Sequence, residues 1–309
     1  MKKGTIFLGK GLLIAAAVLL MDQGLGALLA HYYFRVAHGE LARLNWIADS
    51  VTTPVLIIGS SRAEHGYVPG IIRDSFHLAC YNTGKDKQGI FYDLAVEKMA
   101  LKRYHPHLLI LDITPISFAS EESSLDDLAV LLPYYGRHPE IRSILEKRGA
   151  WEKVKTLSKL YCYNSQILQI AKNTVAQREE DSVADGYGPK FQSLSANPGL
   201  GFIPQQLQAP ADSGCVAAFR EIILIAKQAN CLLAVTIGPV YDSLSTGSTT
   251  ISVARQICIG EQLPFLDYSR SPAFSGRPDL FYDPRHLNDA GAQRYTRLLS
   301  ADLIARGFH

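Results

Sequence analysis

Apolar residues fall along this chain in three patterns, and each predicts a different kind of element. Short unbroken runs at Val55-Leu56-Ile57-Ile58, Leu108 to Ile113, Cys231 to Ile237 and Pro264 to Tyr268 have the length and branched content of strands buried on both faces. A further short strand is expected to end at Tyr81. Between these runs the spacing becomes helical: Ile90, Leu94, Val96, Ala100 and Leu101 make one stripe within Gln88 to Tyr104. Helices are also expected at Ser213 to Asn230, Thr249 to Gln262 and Asp289 to Arg306, the last capped by Asn288. Strand, helix, strand succession is the unit of a parallel sheet, so residues 54–309 predict an α/β domain.

The second pattern interrupts that domain. From Leu125 to Gln177 successive helical segments are broken at Pro133, Pro139 and Gly149, and from Arg178 to Asp212 Gly, Pro, Ser and Gln replace any periodicity. An insertion of helices and a long surface loop is therefore expected over about 125–212.

The third pattern is the apolar run from Thr5 to Ala30, preceded or interrupted by Lys2, Lys3 and Lys10. Its unbroken part, Gly11 to Met21, has the length of a signal-peptide core, and Leu25 to Ala30 extends it past Asp22 toward spanning length. No small-x-small cleavage pattern precedes His31, so residues 1–30 read as a membrane anchor or uncleaved signal. Positive charge at the extreme amino terminus places the main domain outside. The competing reading is a buried or interfacial helix, which Asp22 favours because a carboxylate within a bilayer is costly. Residues 31–53 form a connector, helical around Glu40 to Ala48.

Composition narrows the function classes. The 309 residues are 47% hydrophobic, enough for a substantial core, which excludes a disordered chain. Thirty-one basic against 29 acidic residues, scattered along the chain, leave no basic surface to mark nucleic acid as a partner. The five cysteines show no C-x-x-C spacing and sit among apolar residues, so no metal site is expected. No phosphate-cradling glycine loop is present in the sequence, and no cofactor is expected.

Chemistry concentrates at two distant places. The first strand ends in Gly59-Ser60-Ser61-Arg62, which puts a hydroxyl at the carboxyl end of a strand, where open α/β sheets bind ligands. Near the far end, Asp283-Pro284-Arg285-His286-Leu287-Asn288 spaces an acid and an imidazole three residues apart, within reach in one turn. A carboxylate so placed holds the imidazole in the tautomer that accepts a proton from serine. Arg62, beside the hydroxyl, is a candidate for holding an anionic or acyl substrate.

Together with Asn82-Thr83-Gly84, these blocks resemble the SGNH (GDSL-like) hydrolase superfamily, in its branch of membrane-anchored bacterial envelope proteins related to polysaccharide O-acetyltransferases. The match spans Val55 to Ala305 but does not cover the helical insertion. The resemblance implies a three-layer α/β/α flavodoxin-like fold with a parallel sheet, and a triad of Ser61, His286 and Asp283. It implies an oxyanion hole from the Ser61 and Gly84 amides and, in place of the family's asparagine, the Thr114 hydroxyl. The chain departs from the family in carrying Ser60 where Asp is usual and Lys87 where a second glycine is usual. The activity implied is ester hydrolysis or acetyl transfer on an acylated cell-surface carbohydrate or other small ester. The implied location is the bacterial inner membrane with the domain in the periplasm, beside polysaccharide machinery. The alternative is a noncatalytic scaffold or glycan-binding subunit of such machinery; a lipid esterase is a third reading.

Overall fold

The computed structural model describes residues 2–175, 185–194, 204–241 and 247–308. The chain divides into two compact units, one of Met1–Asn45 with Leu128–Asp181 and one of Trp46–Asp127 with Ser182–His309.

The second unit is a mixed α/β structure around five parallel strands, β1 (Val55–Ile58), β2 (Cys80–Asn82), β3 (Leu108–Asp112), β4 (Leu232–Ile237) and β5 (Phe265–Asp267). Their order is β2-β1-β3-β4-β5. The chain steps from β1 to one side for β2 and then crosses to the other side for β3. The order thus reverses beside β1, and a crevice opens at the carboxyl ends of β1 and β3. Every residue of β1 and β3 is buried, which explains their unbroken apolar character. Alternate residues Val55, Ile57, Leu108 and Ile110 share a core with Ile72 of the helix Pro69–Phe76 and with Tyr295, Leu299 and Leu303 of the helix Asp289–Ala305. The helices Ile90–Leu101 and Ser213–Gln228 pack on each other and against β1 and β4 respectively.

Element types follow the hydrophobic pattern throughout this unit. The short helices Ser61–Gly66 and Pro69–Phe76 were not expected, because two turns or fewer show too little period to be read. The expected surface loop from Arg178 is corrected in part. Asp185 to Lys190 is built into the unit: Asp185 O accepts from Asn82 N, Gly188 N donates to Glu64 O, and Lys190 O accepts from Asp289 N. Gly186 has φ +87 and lies so close to the β2 edge that a Cβ there would be 1.8 Å from Asn82 O. Residues 178–184 and 195–203 of that reading lie outside the described residues.

The first unit contains the long helix Lys2–Tyr33 and short helices including Arg142–Leu145, Glu152–Lys155, Lys159–Tyr163 and Ile167–Val175. Tyr33, Tyr134 and Tyr163 form its aromatic core, with the Tyr134 hydroxyl donating to Asn45 Oδ1 at 2.7 Å. The helix over Ile6–Tyr33 is long and apolar enough to cross a membrane, with a mean hydropathy of 2.0 in its most apolar window. Only 6% of its most apolar window is buried within the protein, unlike a core helix. Asp22 is not left unsatisfied. It accepts from the Ser158 hydroxyl at 2.5 Å and from the Lys159 and Leu160 N–H groups at 2.9 and 3.3 Å, at the start of the helix Lys159–Tyr163. The five cysteines are all free thiols.

Candidate active site

Ser61 stands at the first position of the helix that follows β1, and Ser60 caps that helix by accepting from Arg62 N. The turn from strand to helix is tight. A Cβ on Gly59 would lie 2.8 Å from Ala63 Cβ and 2.9 Å from Asp112 O, so only glycine lets the strand end pass this close to β3.

The structure brings the two distant blocks together. Ser61 Oγ lies 2.8 Å from His286 Nε2, across 225 positions of sequence. His286 Nδ1 lies 3.0 and 2.9 Å from Asp283 Oδ1 and Oδ2. A carboxylate only accepts, so Nδ1 carries the hydrogen and Nε2 of the neutral ring is left to accept from the serine hydroxyl. The turn that holds the acid is itself tied down, because Asp283 Oδ1 also accepts from the Arg285 and His286 backbone N–H groups at 2.8 and 2.9 Å. Burial pushes the Asp283 carboxyl up. The hydrogen bond and charge of His286 and the two N–H donors outweigh it and hold the group below the usual carboxylate range. All three side chains are partly exposed, and Ser61 and His286 line a cavity of about 620 Å³, with Asp283 behind the imidazole.

Arg62 was expected to bind substrate, and the structure places its donors elsewhere. Nη1 donates to Arg285 O at 2.5 Å, and Nη2 donates to Gly238 O at 2.7 Å and Pro239 O at 3.2 Å. At 7% exposure the guanidinium is a clamp joining the nucleophile helix, the end of β4 and the turn that carries His286.

Gly84 is also corrected. Its N–H donates to Asn82 Oδ1 at 2.9 Å, the residue is not part of the cavity lining, and a Cβ there would lie 2.4 Å from Glu64 N. Close packing of the β2 loop on the nucleophile helix is what requires glycine at this position. Asn82 completes the joint by donating from Nδ2 to the Ala63 and Tyr67 carbonyls at 2.7 and 3.0 Å. Lys87, where the resemblance leads one to expect glycine, lines the cavity with φ +64, a left-handed backbone that glycine adopts more readily.

Thr114 lines the cavity as expected, but its atoms take part in a turn. Its N–H donates to Ser117 Oγ at 2.8 Å, and its Oγ1 accepts from Ile116 N at 3.3 Å and lies 3.1 Å from Ser117 Oγ. The Ser61 N–H, in the first turn of its helix, has no acceptor within that helix.

Three groups that sequence reasoning passed over complete the surroundings. Asp112, at the end of β3, accepts at Oδ1 from the Tyr67 hydroxyl at 2.5 Å and from Gly238 N at 3.3 Å. The Tyr67 hydroxyl in turn lies 2.7 Å from Thr236 Oγ1 and 3.0 Å from the Tyr295 hydroxyl. Burial pushes the Asp112 carboxyl up to about 6, against the opposing influence of the Arg62 charge, the Tyr67 hydroxyl and the Gly238 N–H. Asp93, buried in the cavity wall, is pushed well above the carboxylate range by burial and then by Asp112. His65 stacks edge-on to His286 at 6.0 Å between ring centroids, with Nε2 3.0 Å from Asp86 Oδ1 and Nδ1 2.5 Å from Gly188 O. That contact, ahead of the opposing effect of burial, holds the Asp86 carboxyl down at about 2. The signal for Asp112 was present as an acid ending an otherwise apolar strand. His65 carried none, since its partners come from distant segments. The atoms of Glu64, His65 and Asp86 lie within 4.8 Å of one another, but Glu64 Oε2 already accepts from Asp86 N and His65 from neither side is free of a partner.

Against known proteins, the chain matches no family model, and no curated protein is significantly similar to it.

Proposed function

We propose that this chain is an SGNH-type acyl-transfer enzyme, an esterase or O-acetyltransferase acting on a cell-surface glycan, held at a bacterial inner membrane by its amino-terminal helix with the α/β unit in the periplasm. One observation carries the reading: the Ser61, His286 and Asp283 contacts form a continuous relay whose serine opens onto a cavity. The strand order, with the site where it reverses beside β1, is the order of flavodoxin-like doubly wound sheets and supports the SGNH assignment. The cavity lining also includes Gln88, Ser117, Ser120, Ser124, Gln205 and Gln206, which suits a ligand rich in hydroxyls better than a long acyl chain.

In the reaction, His286 Nε2 takes the Ser61 proton as Oγ attacks the ester carbonyl, and the carbonyl oxygen becomes an oxyanion beside the Ser61 N–H. Asp283 stabilises the imidazolium. Collapse breaks the ester C–O bond, and His286 returns its proton to the leaving alcohol. Water or a sugar hydroxyl then gives up a proton to His286 and attacks the acyl-serine, which releases the acyl group and restores the Ser61 hydroxyl.

Incubation with a fluorophosphonate probe and with a chromogenic acetyl ester tests the proposal. Labelling and turnover that vanish in Ser61→Ala support it; equal rates in the two proteins refute it. A second reading, a noncatalytic scaffold or glycan-binding subunit of polysaccharide machinery, is favoured by the commitment of the Gly84 amide to Asn82 and of the Thr114 oxygen to a turn. Loss of one oxyanion donor costs about 100-fold to 1000-fold in rate. Glycan binding that persists in Ser61→Ala, with no labelling of the native protein, would select the scaffold.

A further inference from the structure

The unit containing the long amino-terminal helix exposes apolar side chains beyond that helix. Trp151, Val154 and Leu157 are 71%, 55% and 74% exposed. They follow one another at three-residue intervals, and the Val154 and Leu157 N–H groups donate to the Trp151 and Val154 carbonyls. Turns of that kind stack residues three apart on one side, so the three form a ridge. The reverse side is polar and closed: Glu152 is 1% exposed and binds Arg148, Lys155 Nζ at 3.1 Å and the Tyr161 hydroxyl at 2.6 Å. An ion pair buried behind an exposed Trp-Val-Leu ridge is the inverse of the usual surface arrangement.

The ridge is fastened to the apolar helix at a definite level. Asp22 caps the helix Lys159–Tyr163 through Ser158, Lys159 and Leu160, and Gln23 Nε2 donates to Leu157 O at 3.3 Å. One turn further, Gly26 meets Lys159 so closely that a Cβ would lie 2.2 Å from Lys159 Cβ. Small residues admit such approach between helices within membranes. Asp22 follows the unbroken apolar stretch Gly11 to Met21 directly and precedes the apolar residues Leu25 to Ala30. The sixteen residues Ile6 to Met21 rise about 24 Å, so with Ile6 at one face of a core about 30 Å thick Asp22 lies just inside the other face, and whatever caps it sits at the same depth.

We propose that residues Trp151 to Leu157 dip into the bilayer at the boundary between headgroups and acyl chains, as an interfacial wedge alongside the anchor helix. The occupant of the exposed ridge is lipid. Tryptophan is favoured at this boundary, and the exposed Lys153 can reach from it to the phosphate layer. The residues that follow the wedge, Ser158 to Leu160, supply the hydrogen-bond donors that make Asp22 tolerable at that depth. This inference rests on the anchoring part of the proposed function and is independent of the chemistry at Ser61.

The chain has two tryptophans, so Trp46→Phe leaves Trp151 as the sole reporter. The full chain carrying this change is reconstituted in phosphatidylcholine vesicles, with and without bromine near the top of the acyl chains. The expected result is a blue-shifted emission that loses more than half its intensity in brominated vesicles, with weaker quenching when the bromine is near the chain ends. Leu13→Trp in a Trp46→Phe/Trp151→Phe background reports the anchor helix separately. Quenching at position 13 without quenching of Trp151 overturns the wedge and leaves the anchor standing. Quenching at neither position removes anchor and wedge together. A blue shift of Trp151 that bromine does not quench assigns the ridge to a protein surface, a second copy or a partner, and equally overturns the proposal.

Discussion

Replacing Asp112 by asparagine isolates the electrostatic cost of building this site. Asp112 is 1% exposed, its Oδ2 has no hydrogen-bond partner, and burial raises its carboxyl from an ordinary 3.8 to about 6. Between those values the folded chain holds a proton that the unfolded chain has lost, so stability falls as pH rises. The stability is fully present below the unfolded value and is lost as pH climbs through the folded one. At about 1.4 kcal/mol per unit, the shift is worth about 3 kcal/mol above neutral pH. The amide keeps an acceptor for the Tyr67 hydroxyl and Gly238 N–H but cannot ionise. The stability difference between Asp112→Asn and the native chain should therefore shift in favour of the variant by about 2 kcal/mol between about pH 4.5 and pH 8, since part of the loss has already occurred at the lower pH. Relief of Asp93, which the Asp112 charge pushes further up, acts in the same direction. For a unit of this size that corresponds to a relative gain of about 4 to 8 °C in Tm, measured by thermal unfolding of the full chain in a mild detergent at the two pH values. A difference in Tm that stays constant with pH would show that Asp112 does not titrate differently in the folded and unfolded chains, and the account of a carboxyl raised by burial would fail.

Other consequences concern the joints of the site. Arg62→Met removes three bonds from a charged donor to carbonyls that hold the His286 turn, so stability should fall by about 3 kcal/mol or more and serine labelling should slow at least tenfold; unchanged labelling in a folded variant refutes the clamp. In Arg62→Lys the charge returns without the fork, and labelling should recover only in part. Gly84→Ala forces a methyl group against Glu64 N and Ala63, and urea unfolding should register a loss of about 1 to 3 kcal/mol; a neutral result would mean that the β2 loop does not pack on the nucleophile helix as described. Lys87→Gly relieves a left-handed non-glycine residue and should gain up to about 1 kcal/mol with serine labelling retained, whereas a loss of that size would assign the side chain a supporting contact.

What the sequence determined by itself was whatever repeats locally or is announced by composition. The buried strands are continuous apolar runs, the longer helices keep their stripe, and the amino-terminal helix is apolar over enough residues to cross a bilayer. A serine at a strand end and an acid three residues before a histidine could be seen without coordinates, because each is a local pattern tied to an element boundary. Which atoms meet was decided only by the tertiary structure. Arg62 reads as a substrate ligand beside a nucleophile until the fold surrounds it with the carbonyls of Arg285, Gly238 and Pro239, more than 170 positions away. Gly84 reads as an oxyanion donor until Asn82 Oδ1 accepts its N–H hydrogen bond. Asp22 reads as a misfit in an apolar helix until a helix end from the insertion supplies its donors. In each case a polar group forms the few hydrogen bonds that the fold brings within reach, and that choice has no period in sequence, whereas apolar burial is additive along an element and leaves its period in the chain.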